Sequence, residues 1–140
     1  MSPNKLKDLI LKRANGLCEY CKSPANISPQ PFAIEHIIPK SKNGETIEEN
    51  LALSCQGCNN YKYNKTSGLD NLTGETVNLF NPRKQEWNEN FKWSDDVLEM
   101  IGITSIGRVT IDELKLNRIE LQNLRNLLAT AGKHPPKLTV

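Results

Sequence analysis

"CQGCNNYK", residues 55–62, is the stretch on which the fold turns. Cys55 and Cys58 stand two residues apart, and so do Cys18 and Cys21 in "CEYC", residues 18–21. A two-residue gap lets both sulfurs of a pair turn toward one tetrahedral ion, and two such pairs complete a closed four-cysteine zinc site. Four unrelated buried thiols would have no reason to share one spacing, and a redox CxxC needs a single pair in another fold context. The pairs lie further apart than a simple zinc ribbon requires. Zinc would therefore pin two segments together with an insertion between them. That insertion carries Glu35, His36 and Asn50, and Asn59 directly follows the last cysteine.

Working outward, "IEHIIP" at residues 34–39 reads as a short buried strand built on Ile34, Ile37 and Ile38 and ended by Pro39. A buried carboxylate needs something to offset its charge, and for Glu35 a metal ion is one candidate. A carboxylate is the hard oxygen ligand that Mg²⁺ prefers. The neutral ring of His36 can take a proton from water near pH 7, which suits a general base. In a regular strand residues 35 and 36 point to opposite faces, so a shared site requires the strand to bend or twist there. Asn50 and Asn59 taken singly also suit turns and helix caps. Lys62 lies one helical turn after Asn59 and shares its face; it either reaches a phosphate or is a solvated surface lysine.

The chain has 140 residues, 37% of them apolar, which fits one domain with a modest core that a metal staple would support. A net charge of +2 with both signs interspersed argues only weakly for an anionic partner. The first residues, "SPNKLKDLILKRANG", lack the apolar core of a signal peptide, and no stretch approaches a membrane span. The expected compartment is the cytoplasm, where cysteines favour metal ligation over disulfides.

Periodicity predicts an amphipathic helix over "PNKLKDLILKRANG", a strand in "FAIEHIIP", a second short apolar segment in "LALSC" and a short helix in "GCNNYKYNK". Asn43-Gly44 marks a turn in the polar loop between the two apolar segments. Residues 68–91 read as loop-rich. "NFKW" and "DVLEMIGIT" are candidates for a hairpin. Thr110 and Glu113 form a capping-box pattern ahead of a helix running to about Ala131 with Leu114, Leu121, Leu124 and Leu128 as its buried stripe.

The pieces "CEYC", "IEHIIPKS", "ENL" and "CQGCNNYK", in that order across residues 13–65, resemble the HNH endonuclease family. The resemblance implies an α+β fold in which a small ββα-metal core is stapled by a four-cysteine zinc site. With the bottom-up reading it divides the chain into a core at 1–66, with an N-terminal helix, and a C-terminal extension at 67–140 that packs on it. It implies metal-dependent hydrolysis of DNA phosphodiesters with His36 as general base and Glu35 and Asn59 as ligands of one Mg²⁺ or Mn²⁺. Asn50 braces the loop. Glu35 stands where the family more often has Asp, and Asn59 is the Asn variant of a position that is His or Asn. Products would carry 5′-phosphate and 3′-hydroxyl ends. Zinc on Cys18, Cys21, Cys55 and Cys58 would take no part, since a closed site has no open position for water.

The second half resembles the C-terminal region of some bacterial members through "LFNPRKQEWNENF", "GITSIGRVT" and "HPP", with Asn90 where a His is usual. Lys62, Lys40 and Arg108 are the candidate nucleic-acid contacts, with Arg13, Lys42, Lys65 and Arg83 behind them; such contacts give affinity without sequence choice. Trp87 and Trp93 read as core residues and His134 as a terminal surface residue. The competing function is a zinc-stapled nucleic-acid binding module without catalysis, which would need none of the Glu35-His36-Asn59 set. A toxin that needs a neutralising partner is a third. Duplex DNA is the expected partner. Whether the chain acts alone, as a homodimer or beside a protein that chooses its site is left open by the sequence.

Overall fold

The structure, a computed structural model, describes residues 2–137. Helix α1, Pro3–Arg13, starts where Ser2 accepts a hydrogen bond from the Lys5 amide at 3.3 Å, with proline at the first helical position. It buries Ile10. Strand β1, Ala33–His36, pairs antiparallel with β2, Leu51–Ser54, in the register Ile34 opposite Leu53 and His36 opposite Leu51. Helix α2, Gln56–Lys62, follows at once, and the Cys55 sulfur caps it by accepting the Cys58 amide at 3.4 Å.

The pleat gives the β1–β2 pair two different faces. Ile34, Leu51 and Leu53 pack with Ile10, Ala14 and Leu6 of the first helix in one small apolar cluster. Glu35 leaves by the other face, toward α2, and is buried.

The second half contains more regular structure than its loop-rich sequence suggests. Strands β3, Ser67–Leu69, and β4, Thr76–Asn78, form a hairpin, and a short helix α3 spans Trp87–Asn90. The expected pairing of "NFKW" with the following segment is present as β5, Phe91–Trp93, against β6, Met100–Gly102. Among the described residues the three sheets are two-stranded and antiparallel, so the architecture is α+β: helices with small sheets.

The long helix expected from Thr110 is instead two helices, α4, Ser105–Leu114, and α5, Ile119–Thr130. Thr104 caps α4 by accepting the Gly107 amide at 3.1 Å. Thr110 lies in the helix interior, fully buried, donating to the Ile106 carbonyl at 2.7 Å and accepting the Phe80 amide at 2.9 Å. The capping-box pattern misled because a buried threonine can bond back to its own helix. Gly107 allows α4 to seat against the end of α3 and against β6, since a Cβ there would collide with the Asn90 carbonyl and crowd Gly102.

One main core joins the two halves. Cys18, Tyr20, Cys21, Cys55 and Cys58 pack in the same cluster as Leu79, Phe80, Trp87, Phe91, Val109, Leu114 and Leu121. Trp87 is 7% exposed, and its indole donates to the Tyr20 carbonyl at 3.1 Å. His134 corrects the expectation of a surface residue. It is 9% exposed, bonds the Val97 carbonyl at 2.7 Å and meets the Trp93 ring edge-on at 4.5 Å.

Candidate metal centre and active site

The four cysteine sulfurs lie within 4.8 Å of one another. Cys21 and Cys55 are 3.7 Å apart. A tetrahedral zinc with Zn–S near 2.3 Å needs sulfurs roughly 3.8 Å apart, so the donor set fits a structural zinc ion. The cluster is almost closed to solvent: Cys18 and Cys58 are fully buried. Burial pushes the Cys18 thiol up, whereas hydrogen bonds, first of all with Cys18, hold Cys55 far below its ordinary value. Such crowding of buried sulfurs is resolved by a cation that takes them all as thiolates.

Four thiolates around a divalent ion leave a net negative site, and the chain supplies a positive neighbour that sequence reading missed. Arg118, just before α5, places its guanidinium 3.6 Å from the Cys55 sulfur and 3.7 Å from that of Cys58. Gly57 makes room for it, since a Cβ there would come within 2.5 Å of the Arg118 terminal nitrogen. Arg118 also bonds the Leu114 carbonyl at 3.2 Å and lies over the Tyr61 ring, so it is fixed from three sides. Outer partners of metal ligands typically carry a 10- to 100-fold effect on affinity. Arg118→Met is expected to release zinc to a colorimetric chelator about tenfold faster; unchanged release would remove Arg118 from the site.

The loop between β1 and β2 is held by Asn50. Its carbonyl accepts the Ile38 amide at 2.8 Å, and its amide donates to the Ile38 and Glu45 carbonyls at 3.0 and 2.9 Å. These bonds fix the chain just after His36. His36 is half-buried at the rim, and its Nε2 is 2.8 Å from the Thr46 hydroxyl, a partner that no local pattern singles out. Burial, helped by the positive charges of Lys40 and Lys62, holds the imidazole below its ordinary value, so it is neutral at pH 7.

Glu35 answers its charge differently from the expectation. Its carboxylate is 5% exposed. One oxygen lies 3.1 Å from the Lys62 ammonium, and the other accepts the Tyr20 hydroxyl. Burial pushes the carboxyl above its ordinary range, against the pull of Lys62. Lys62 is therefore not a surface lysine: it is 1% exposed and also donates to the Ile37 carbonyl at 2.8 Å. The sequence placed it on the face of α2 that carries Asn59, and its contact with Glu35 turns that face toward β1. Asn59 is half-buried one turn earlier. His36 and Glu35 still leave the strand by opposite faces.

The other candidate cations separate into held and exposed. Arg108 donates from two of its nitrogens to Asp70, at 2.9 and 3.1 Å, which fastens α4 to the β3–β4 turn. Arg83 pairs with the buried Glu19, whose other oxygen accepts the Leu53 amide at 2.8 Å. Arg13 bonds the Glu48 and Leu51 carbonyls. Lys40 and Lys42 are exposed. Asn90, in place of the expected His, is buried and structural: it donates to the Glu86 carbonyl and accepts the Thr104 hydroxyl at 2.7 Å.

A zinc-fitting cysteine cluster set beside a strand pair and a helix that carry His, Asn and a carboxylate defines a metal-centred α+β domain. Residues 18–65 match the family model described as HNH endonuclease. The chain is also 30% identical over 150 residues to the Septu protein PtuB of Bacillus mycoides (strain KBAB4). That match takes in 89% of this chain and 50% of the relative, so the chain spans about half the length of the curated relative it matches. No solved structure matches it. Among the described residues no helix is long and apolar enough to cross a membrane.

Proposed function

We propose that the chain is a metal-dependent endonuclease that hydrolyses DNA phosphodiester bonds, with β1, β2 and α2 as a ββα-metal unit inside a core of residues 1–66 and residues 67–140 as an extension packed on it. What supports this reading is that α2, which carries Asn59 one turn before Lys62, meets the Glu35 carboxylate through Lys62 at 3.1 Å, and that His36 ends the same strand. A binding module has no need of a buried carboxylate, an oriented imidazole and a loop tied at three points by Asn50.

The donor types fit a hard cation: one carboxylate and one amide oxygen, leaving places for water and substrate. Glu35 and Asn59 would hold Mg²⁺ or Mn²⁺, which when bound supplies charge stabilisation to the phosphoryl group and the leaving oxygen. His36, neutral at pH 7, accepts the proton of the attacking water through the nitrogen not engaged by Thr46. Asn50 fixes the backbone that aims the ring. Lys40 and Lys42 offer sequence-independent contacts to phosphates. The thiolate-bound zinc has no open position and stays structural.

The test is conversion of supercoiled plasmid by the purified chain with Mg²⁺ or Mn²⁺, and its suppression by EDTA. Cleavage that depends on the divalent cation is the expected result. DNA retardation with no cleavage under any metal favours the binding module.

A further inference from the structure

The Lys62–Glu35 pair raises a difficulty that the function above must meet. A divalent cation needs the lone pairs of Glu35, but one carboxylate oxygen is 3.1 Å from an ammonium and the other accepts the Tyr20 hydroxyl. A divalent cation on the same buried carboxylate would sit close to the ammonium and repel it, so metal binding at Glu35 favours a Lys62 that moves away.

Lys62 has somewhere to go. Its residue lines a cavity of about 400 Å³ between the loop after β1 and the extension. Ile37, Ile38 and Lys42 form one side; Thr66, Asn78 and Lys84 are on the other. No acidic residue lines this cleft, whereas the neighbouring hollows include Glu19 and Glu86 or Asp112 and Glu113. A cleft with two exposed lysines, Lys42 and Lys84, and no carboxylate concentrates anions, and Lys62 forms part of its wall. A lysine ammonium is a compact charge on a four-carbon stem and can exchange one oxygen anion for another over a short path.

We propose that Lys62 is a shared cation: it neutralises Glu35 in the substrate-free chain and passes to a nucleic-acid phosphate seated in this cleft, so that seating the phosphate releases the carboxylate to the divalent cation. The proposal rests on the reading of Glu35 and Asn59 as the cation's donors. It makes DNA and metal bind with positive coupling, and that coupling is reciprocal by thermodynamic necessity. It also gives the extension a part in loading the site, through Lys84. A chain built this way would hold its hydrolytic cation only when a phosphate is in place.

The test is calorimetric titration of Mn²⁺ into His36→Ala protein, which does not cut its ligand, with and without a short DNA duplex. Mn²⁺ is expected to bind about tenfold more tightly in the presence of duplex, and duplex to bind tighter by the same factor in the presence of Mn²⁺. Adding Lys62→Met is expected to give tight Mn²⁺ binding without duplex and to abolish the coupling. Equal Mn²⁺ affinity with and without duplex overturns the proposal, and that arm needs no change at position 62. A Lys62→Met protein, folded by circular dichroism, that binds Mn²⁺ no more tightly than its parent also overturns it. The functional reading is judged separately with Glu35→Gln. If this change weakens Mn²⁺ binding while coupling is absent, only the shared cation fails; if it leaves Mn²⁺ binding untouched, the metal site itself is misplaced and both fail.

Discussion

Replacing His36 by alanine is expected to slow plasmid cleavage at least about a hundredfold, the usual span of general-base contributions being 10² to 10⁴. The same change should leave the melting temperature nearly unmoved. The reason lies in how the side chain is held. The ring is half-buried at the rim of the β1–β2 pair, and its hydrogen bond is to an exposed threonine, so its removal opens no large cavity in the core. Its neighbour behaves differently. Glu35→Ala would strand the buried Lys62 ammonium without its counter-charge, and breaking one partner of a buried pair typically costs about 3–5 kcal/mol. Adjacent residues should therefore separate cleanly: loss of activity without loss of stability at 36, loss of both at 35. Cleavage by His36→Ala at the parent rate would refute the assignment of the base. A large drop in melting temperature would make His36 a structural residue.

The sequence revealed those parts of the molecule that local spacing encodes. Two cysteine pairs with one gap predicted a cluster whose sulfurs do come together, and the isoleucine-rich stretch before Pro39 located β1, although the strand ends at His36 and Ile38 is exposed instead of buried. The order of "IEH", "EN" and "CNN" around the cysteines predicted where His36, Asn50 and Asn59 would lie relative to one another along the chain. The surroundings of Glu35 were not legible, because its partners come from Tyr20 on the cysteine knuckle and Lys62 on α2, far away in sequence. Local spacing raises the question of what offsets its charge but cannot show that Lys62 stands 3.1 Å away. Arg118 escaped notice for the same reason: nothing local distinguishes an arginine that reaches two sulfurs from one that faces water. The places of His134 and Asn90 are not legible in the sequence, because their burial depends on how the extension folds back. Thr110 failed in another way, since its local pattern was real but the buried hydroxyl served the Phe80 amide and the helix backbone instead of a cap.

Stripping zinc from Cys18, Cys21, Cys55 and Cys58 is expected to unfold the whole described chain, extension included. The four cysteines are not a separate knuckle. They belong to the same buried cluster as Phe80, Phe91, Val109, Leu114 and Leu121, contributed by the second half. Arg118 fastens the start of α5 to two of the sulfurs. Apparent binding energies of structural zinc run to about 10–16 kcal/mol, as large as the roughly 5–15 kcal/mol that a whole domain has to spare. With 37% apolar residues, the chain has no surplus of core to replace the ion. Cys55→Ser should be nearly as damaging as removing the ion, because it deletes one of the four thiolates; the serine hydroxyl can still accept the Cys58 amide and cap α2, so the loss reports the metal ligand and not the cap. The measurement is far-ultraviolet circular dichroism during treatment with a zinc-selective chelator, followed by thermal melting of Cys55→Ser. Loss of helical signal in step with zinc release is the expected course. A chelated protein that keeps its cooperative melt near the untreated temperature would mean that the apolar cluster holds without the ion.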